Sequence, residues 1–63
     1  MPVIIIDQEE IKIYPKLQEE LKLIARDVDE WDGTIIYYTV PDQISDLTNK
    51  LKAHNIAFHL KQF

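Results

Sequence analysis

Cysteine, glycine and long apolar runs are scarce or missing in this chain of 63 residues. The lack of cysteine excludes disulfides, zinc–thiolate sites, iron–sulfur clusters and thiol nucleophiles. Gly33 is the only glycine, so no glycine-rich loop can cradle a phosphate. The longest apolar run, Val3 to Ile6, is far shorter than the roughly 20 residues of a membrane span. We therefore expect no membrane partner and no signal peptide.

The charge is acidic, with 11 carboxylates against 7 lysines and arginines and a formal net charge of −4. Arg26 is the only arginine, and no basic cluster is present. Because phosphate backbones are bound mostly by lysine and arginine, we expect no nucleic-acid partner. The length suits one domain, 1–63, and the cysteine-free composition suits the cytoplasm.

Residues 34–40 form the most strand-like segment, because each is β-branched or aromatic and none is charged. Alternation places Ile36, Tyr38 and Val40 on one face and a second apolar set on the other. The segment is therefore predicted to be a central strand with both faces in need of cover.

Two helices and two further strands complete the prediction. Residues 3–6 read as a buried strand. The apolar spacing predicts one helix from Pro15 to about Asp29. A second helix is expected from Asp42, as its N-cap, to His54, with Asn55 in the left-handed conformation beyond it. Residues 56–61 alternate like an edge strand.

The segment between Asp7 and Tyr14 has two interpretations. Asp7 and Glu10 have the spacing of a capping box, which favours a helix beginning at Asp7. Alternatively, a turn at 7–10 leads into a short extended segment at 11–14, because Tyr14 precedes a proline. We favour the extended segment.

This order predicts a two-layer α/β sandwich with a small, mainly parallel three-stranded sheet (βαβαβ, strand order 1-2-3, residues 34–40 central) and two helices on one face. The other sheet face lacks cover, and an apolar face of this kind predicts an interface. Its partner is expected to be a second copy, in a homodimer, or a larger protein. The candidate interface residues are Ile36, Tyr38, Val40, Ala57, His59 and Lys61.

The acidic segment 27–32 is predicted to be a solvated loop. Counted from Asp27, the calcium-loop pattern requires oxygen ligands where Trp31 and Tyr38 stand, so no metal site is expected. Trp31 is expected to cover the core, and the alternative is an anchor for a basic partner. That alternative makes the chain a small inhibitor or regulator whose partner loop is Asp29, Glu30, Trp31 and Asp32.

No catalytic constellation is present in the sequence. His54 and His59 are the only histidines, and they read as a helix-terminal residue and a strand-surface residue. No catalytic triad or phosphate loop is found, so we expect no catalytic residues and no cofactor.

Two resemblances bear on function. Met1-Pro2 followed by an apolar strand resembles the small tautomerases related to 4-oxalocrotonate tautomerase, which implies Pro2 as a catalytic base. This chain has Gln8-Glu9-Glu10 where that family places an arginine.

Residues 34–60 are similar to the first βαβ unit of glutaredoxin-like proteins. Because Gln43-Ile44-Ser45-Asp46 replaces the Cys-x-x-Cys motif, this second resemblance implies the topology without redox activity.

The sequence thus predicts a small, acidic, non-catalytic protein–protein interaction module that binds itself or a larger protein through an uncovered sheet face. The alternatives are a tautomerase-like enzyme that uses Pro2 and a regulator that engages a basic partner through 27–32.

Overall fold

The sheet is built on the pairing of two β-branched segments, β1 (Pro2–Asp7) and β3 (Thr34–Tyr38). In the computed structural model, which describes residues 1–62, these strands pair antiparallel, with Ile4 opposite Tyr37. Both strands are the inner strands of the sheet, and each has apolar residues on its two faces. This double apolar character explains why both occupy interior positions.

The sheet has four strands, not three. The edge strands are β2 (Asp27–Trp31) and β4 (His59–Gln62), and the strand order is β2-β3-β1-β4. Every neighbouring pair is antiparallel. The predicted mainly parallel, three-stranded sheet of order 1-2-3 is therefore wrong.

A tight hairpin between β2 and β3 is the reason for the difference. Asp32 and Gly33 have φ angles of 51° and 78°, and positive values at both positions are those of a type I′ hairpin turn. The turn reverses the chain, so β3 runs antiparallel to β2. The predicted acidic loop at 27–32 is instead a strand followed by this turn, and the helix predicted to reach Asp29 ends at Ile24.

The helices are α1 (Gln8–Ile11), α2 (Pro15–Ile24) and α3 (Ile44–Ala53), with a 3₁₀ turn at Pro41–Gln43. The extended segment favoured for 11–14 is wrong, because the capping alternative forms. The Asp7 carboxylate accepts the Glu9 N–H at 2.9 Å, and Ile11 is fully buried. The start of α2 at Pro15 is confirmed, since proline lacks only an N–H that a first-turn residue does not need.

The end of α3 follows the prediction, whereas its beginning does not. Asn55 has a φ of 56°, and the Ile56 and Asn55 N–H groups donate to Leu51 and Lys52 carbonyls at 3.0 Å each. These two bonds form a Schellman motif. Asp42 is not the N-cap of α3: it lies in the 3₁₀ turn, and Gln43 precedes the helix without a side-chain cap.

All three helices pack on one face of the sheet and enclose the core with it. When α1 and α2 are taken together as one helical connection, the element order β-α-β-β-α-β and the strand order are those of the split βαβ, or ferredoxin-like, connectivity. Connectivity of this kind carries no function by itself. None of the helices within residues 1–62 has the length and apolar composition to cross a membrane. The core residues are Ile4, Ile6, Ile11, Leu17, Leu21, Ile35, Tyr37, Leu47, Leu51 and Ile56.

The turn geometry predicts that Gly33→Ala destabilises the protein. A Cβ at this position meets no atom within 4 Å, so the penalty is the backbone conformation alone. We expect the free energy of unfolding to fall by about 1–2 kcal/mol, the penalty of the left-handed conformation for a residue with a Cβ. Urea denaturation measures the change. Asp32→Asn is the control, because asparagine tolerates a positive φ; equal losses from both variants would contradict this explanation.

Candidate interaction surface

One face of the sheet has no helix over it, and we call it the open face. Alternation along β1 directs Ile4 and Ile6 into the core, whereas Val3 and Ile5 point to the open face. Val3 is only 2% exposed, although it lies outside the buried cluster on the helix side. The residues of this face are Val3, Ile5, Asp7, Asp27, Asp29, Trp31, Thr34, Ile36, Tyr38, His59 and Lys61.

The register arranges these residues in levels that run across the strands. Two of the levels are acidic on β2, apolar on the two inner strands and basic or imidazole-bearing on β4, whereas the third, next to the turn, consists of Trp31, Thr34 and Asp7. The open face is therefore a half-buried apolar centre between an acidic edge and a basic edge. In the order β2, β3, β1, β4, the first level is Asp27, Tyr38, Val3 and Lys61, and the second is Asp29, Ile36, Ile5 and His59.

The predicted interface residues come together on or beside this face. Ile36 and Tyr38 lie at its half-buried centre, and His59 and Lys61 lie at its β4 edge. Two residues extend it beyond the strands. Val40 follows β3 and is half-buried, and Ala57 precedes β4 and is exposed. Val3, Ile5 and Asp27 also lie on this face. They are absent from the predicted interface because the pairing register sets their places.

The predicted partner loop is divided among different surfaces. Asp29 and Trp31 lie on the open face, Glu30 points to the helix side beside Ile35, and Asp32 sits in the turn. Trp31 is 71% exposed, so the expectation that it covers the core is wrong. A single exposed apolar residue is common on protein surfaces, but Trp31 lies on the same face as the half-buried apolar centre.

A hollow of about 290 Å³ lies at one end of the open face. It begins where the last residue of β1, Asp7, pairs with the first residue of β3, Thr34, and it reaches to the segment before β4. Its lining combines apolar side chains with two carboxylates and an imidazole ring. The lining residues are Ile5, Asp7, Glu10, Thr34, Ala57 and His59.

The outer edge of β2 is closed to further strands by its own aspartates. Its register directs the backbone groups of Val28 and Glu30 away from β3. The carboxylate of Asp27 accepts the Val28 N–H at 2.8 Å, and that of Asp29 accepts the Glu30 N–H at 2.9 Å. Because both outward donors are satisfied, β2 is a poor template for pairing with another strand.

The sequence also raised His54 and Pro2 as possible chemical sites, and both make structural contacts. His54 lies at the end of α3, where its Nδ1 is 3.0 Å from the Lys50 carbonyl oxygen and its ring meets the edge of Tyr14. Pro2 is buried at the start of β1, and its carbonyl accepts the Thr39 N–H at 3.1 Å. Within residues 1–62, no group of three or more histidine or carboxylate side chains is placed to hold a metal ion.

Comparison with known proteins finds no matching family model, no matching curated protein and no matching solved structure. The geometry and charge of the open face are therefore the features from which a function is inferred.

Within residues 1–62, Tyr37 is the buried residue of the helix side whose pKa is shifted. Its side chain is 1% exposed, and its hydroxyl has no hydrogen-bond partner among residues 1–62. Burial, aided by the negative charge of Glu30, raises the pKa of Tyr37 to about 12. A neutral hydroxyl is thereby favoured in the folded state well above pH 10.

Tyr37→Phe should remove part of the alkaline loss of stability. The pKa of Tyr37 is higher in the folded state than its unfolded value of about 10. The contribution of this group to the free energy of unfolding is therefore fully present below pH 10 and is lost as the pH rises towards 12. We expect the wild type to lose about 2–3 kcal/mol more than the variant over this interval. Urea denaturation across the pH range gives the difference. Tyr38→Phe, on the open face, is the control, and identical pH profiles for Tyr37→Phe and wild type would refute the assignment.

Proposed function

We propose that this protein is a small, non-catalytic interaction module that self-associates through the open face. A second copy is the partner that its charge pattern fits best. The apolar centre formed by Ile5, Ile36 and Tyr38 supplies a surface whose burial is favourable. The opposite charges at the two edges supply the orientation.

The charge pattern selects one symmetry. A two-fold axis parallel to the strands lays β2 of one copy over β4 of the other and keeps each level opposite itself. Asp27 then faces Lys61 of the second copy, and Asp29 faces His59 of the second copy. An axis across the strands would lay acidic β2 over acidic β2. The match under the first axis is the observation that carries the proposal.

The size of the face indicates a weak, reversible dimer. Four strands at their usual spacing span about 19 Å, and five residues of strand extend about 17 Å. This area is smaller than the about 800 Å² per partner of a standard interface. We expect dissociation in the micromolar range or above, so the concentration of the protein would control its assembly.

A larger protein with a basic surface is the second candidate partner. The exposure of Trp31 on the same strand face as Asp29 favours it, because an aromatic side chain next to a carboxylate suits a basic contact. This candidate corresponds to a small regulator. For either partner, the cysteine-free composition is consistent with a cytoplasmic location.

A charge exchange tests the symmetry. Asp27→Lys places lysine opposite Lys61 at both ends of the dimer, so we expect association to weaken about tenfold, since two rim contacts change sign. Adding Lys61→Glu to the same chain restores opposite charges and should restore association. Sedimentation equilibrium at low ionic strength measures both constants.

Glu19→Lys is the matched control, because it makes the same charge change on an exposed position of α2. It should leave association unchanged. A dimer that Asp27→Lys does not weaken, or that the double variant does not recover, would reject this symmetry. A monomer at every concentration would reject self-association and leave the larger partner.

A further inference from the structure

We infer that Trp31 is the anchor of this interface and that its indole enters the hollow beside Ala57 of the second copy. This inference rests on the proposed self-association and adds a specific contact to it. It gives a role to two features that the fold itself does not use, an exposed tryptophan and an unfilled hollow.

The register brings the two features together. Trp31 is level with Thr34, and Thr34 is level with Asp7. Ile5 pairs with His59, Ala57 stands two residues before His59, and Ala57 lines the same hollow as Asp7, which places Ala57 at this end of the face. The two-fold axis parallel to the strands keeps levels opposite each other and exchanges the edges. Trp31 of one copy therefore lies over Ala57 of the other.

The hollow has the chemistry that an indole requires. Its volume of about 290 Å³ accommodates one bicyclic ring system. Ile5 and Ala57 give apolar contact, and the small Ala57 side chain leaves the entrance open. A buried indole N–H needs an acceptor, and the carboxylates of Asp7 and Glu10 line the same hollow.

The contact occurs twice in a symmetric dimer, which makes Trp31 its dominant anchor. Tryptophan is enriched among the few residues that carry most of the binding energy of an interface. Two such anchors compensate for a face of limited area, whereas the edge charges mainly set orientation.

Trp31→Ala should weaken association by about a hundredfold or more, because each truncation of a hot-spot residue costs at least about tenfold and the dimer contains two. Leu23→Ala is the matched control. Leu23 is 87% exposed but lies on α2, away from the open face, so its truncation should leave association unchanged. Sedimentation equilibrium compares the two variants with wild type.

The fluorescence of the only tryptophan gives an independent readout. On raising the concentration of the full chain, we expect the Trp31 emission to shift to shorter wavelength and its quenching by acrylamide to fall in step with dimer formation. Ala57→Leu fills the hollow at an exposed position, so it should weaken association and abolish the emission shift while far-ultraviolet circular dichroism stays unchanged.

The outcomes separate this inference from the proposed function. A dimer that forms with unshifted Trp31 emission, and that Trp31→Ala does not weaken, overturns the anchor and leaves self-association standing. A chain that stays monomeric at every concentration removes both.

Discussion

The pairing of β1 with β3 is the constraint on which the rest of the structure depends. Both strands carry apolar side chains on their two faces, so the pair must be interior to a sheet and covered from both sides. Helices α1, α2 and α3 cover one side and are held to it by the core. The remaining side is the open face. The proposal of a partner thus rests on the same residues that specify the sheet.

The charges and backbone hydrogen bonds at the two edges of the sheet determine which contact between copies is favoured. The acidic edge on β2 and the basic edge on β4 are complementary, and complementary edges can join copies head to tail into open filaments. Asp27 and Asp29 satisfy the outward N–H groups of β2 and so oppose this growth. Strand β4 is short and carries Lys61, a second common protection of an edge. Contact through the face, which closes on itself, is the outcome that this arrangement favours.

Local signals in the sequence predicted several elements, but the topology required long-range pairing. The β-branched runs of β1 and β3, the start of α2 at Pro15 and the left-handed Asn55 are all visible in composition and spacing. Strand β2 was missed because Val28 is its only inward apolar residue, so its acids resembled a frayed helix end. The Asp32-Gly33 pair ahead of a β-branched run was the available hairpin signal. Without β2, a parallel sheet was the natural inference.

The candidate surface was predictable only in part. Alternation alone places Ile36 and Tyr38 on one face of their strand. Because both are apolar and no helix is available for that face, the sequence predicts that this face is an interface. The positions of Val3 and Asp27 depend on which strands become neighbours, and periodicity within one strand does not contain that information. The exposure of Trp31 likewise depends on β2 being an edge strand. Composition by itself favours burial for a tryptophan in so small a domain.

Isotope-filtered nuclear Overhauser spectroscopy on an equimolar mixture of labelled and unlabelled protein gives a direct test of self-association through the open face. Trp31 lies on the edge strand β2 and Ala57 precedes the opposite edge strand β4, and these two edges are about 14 Å apart across three strand spacings, so contact between Trp31 and Ala57 is expected between copies and not within one. If Trp31 enters the hollow of the second copy, intermolecular cross-peaks are expected from the Trp31 indole to the Ala57 methyl group. Intermolecular cross-peaks confined to the helix surface would contradict it.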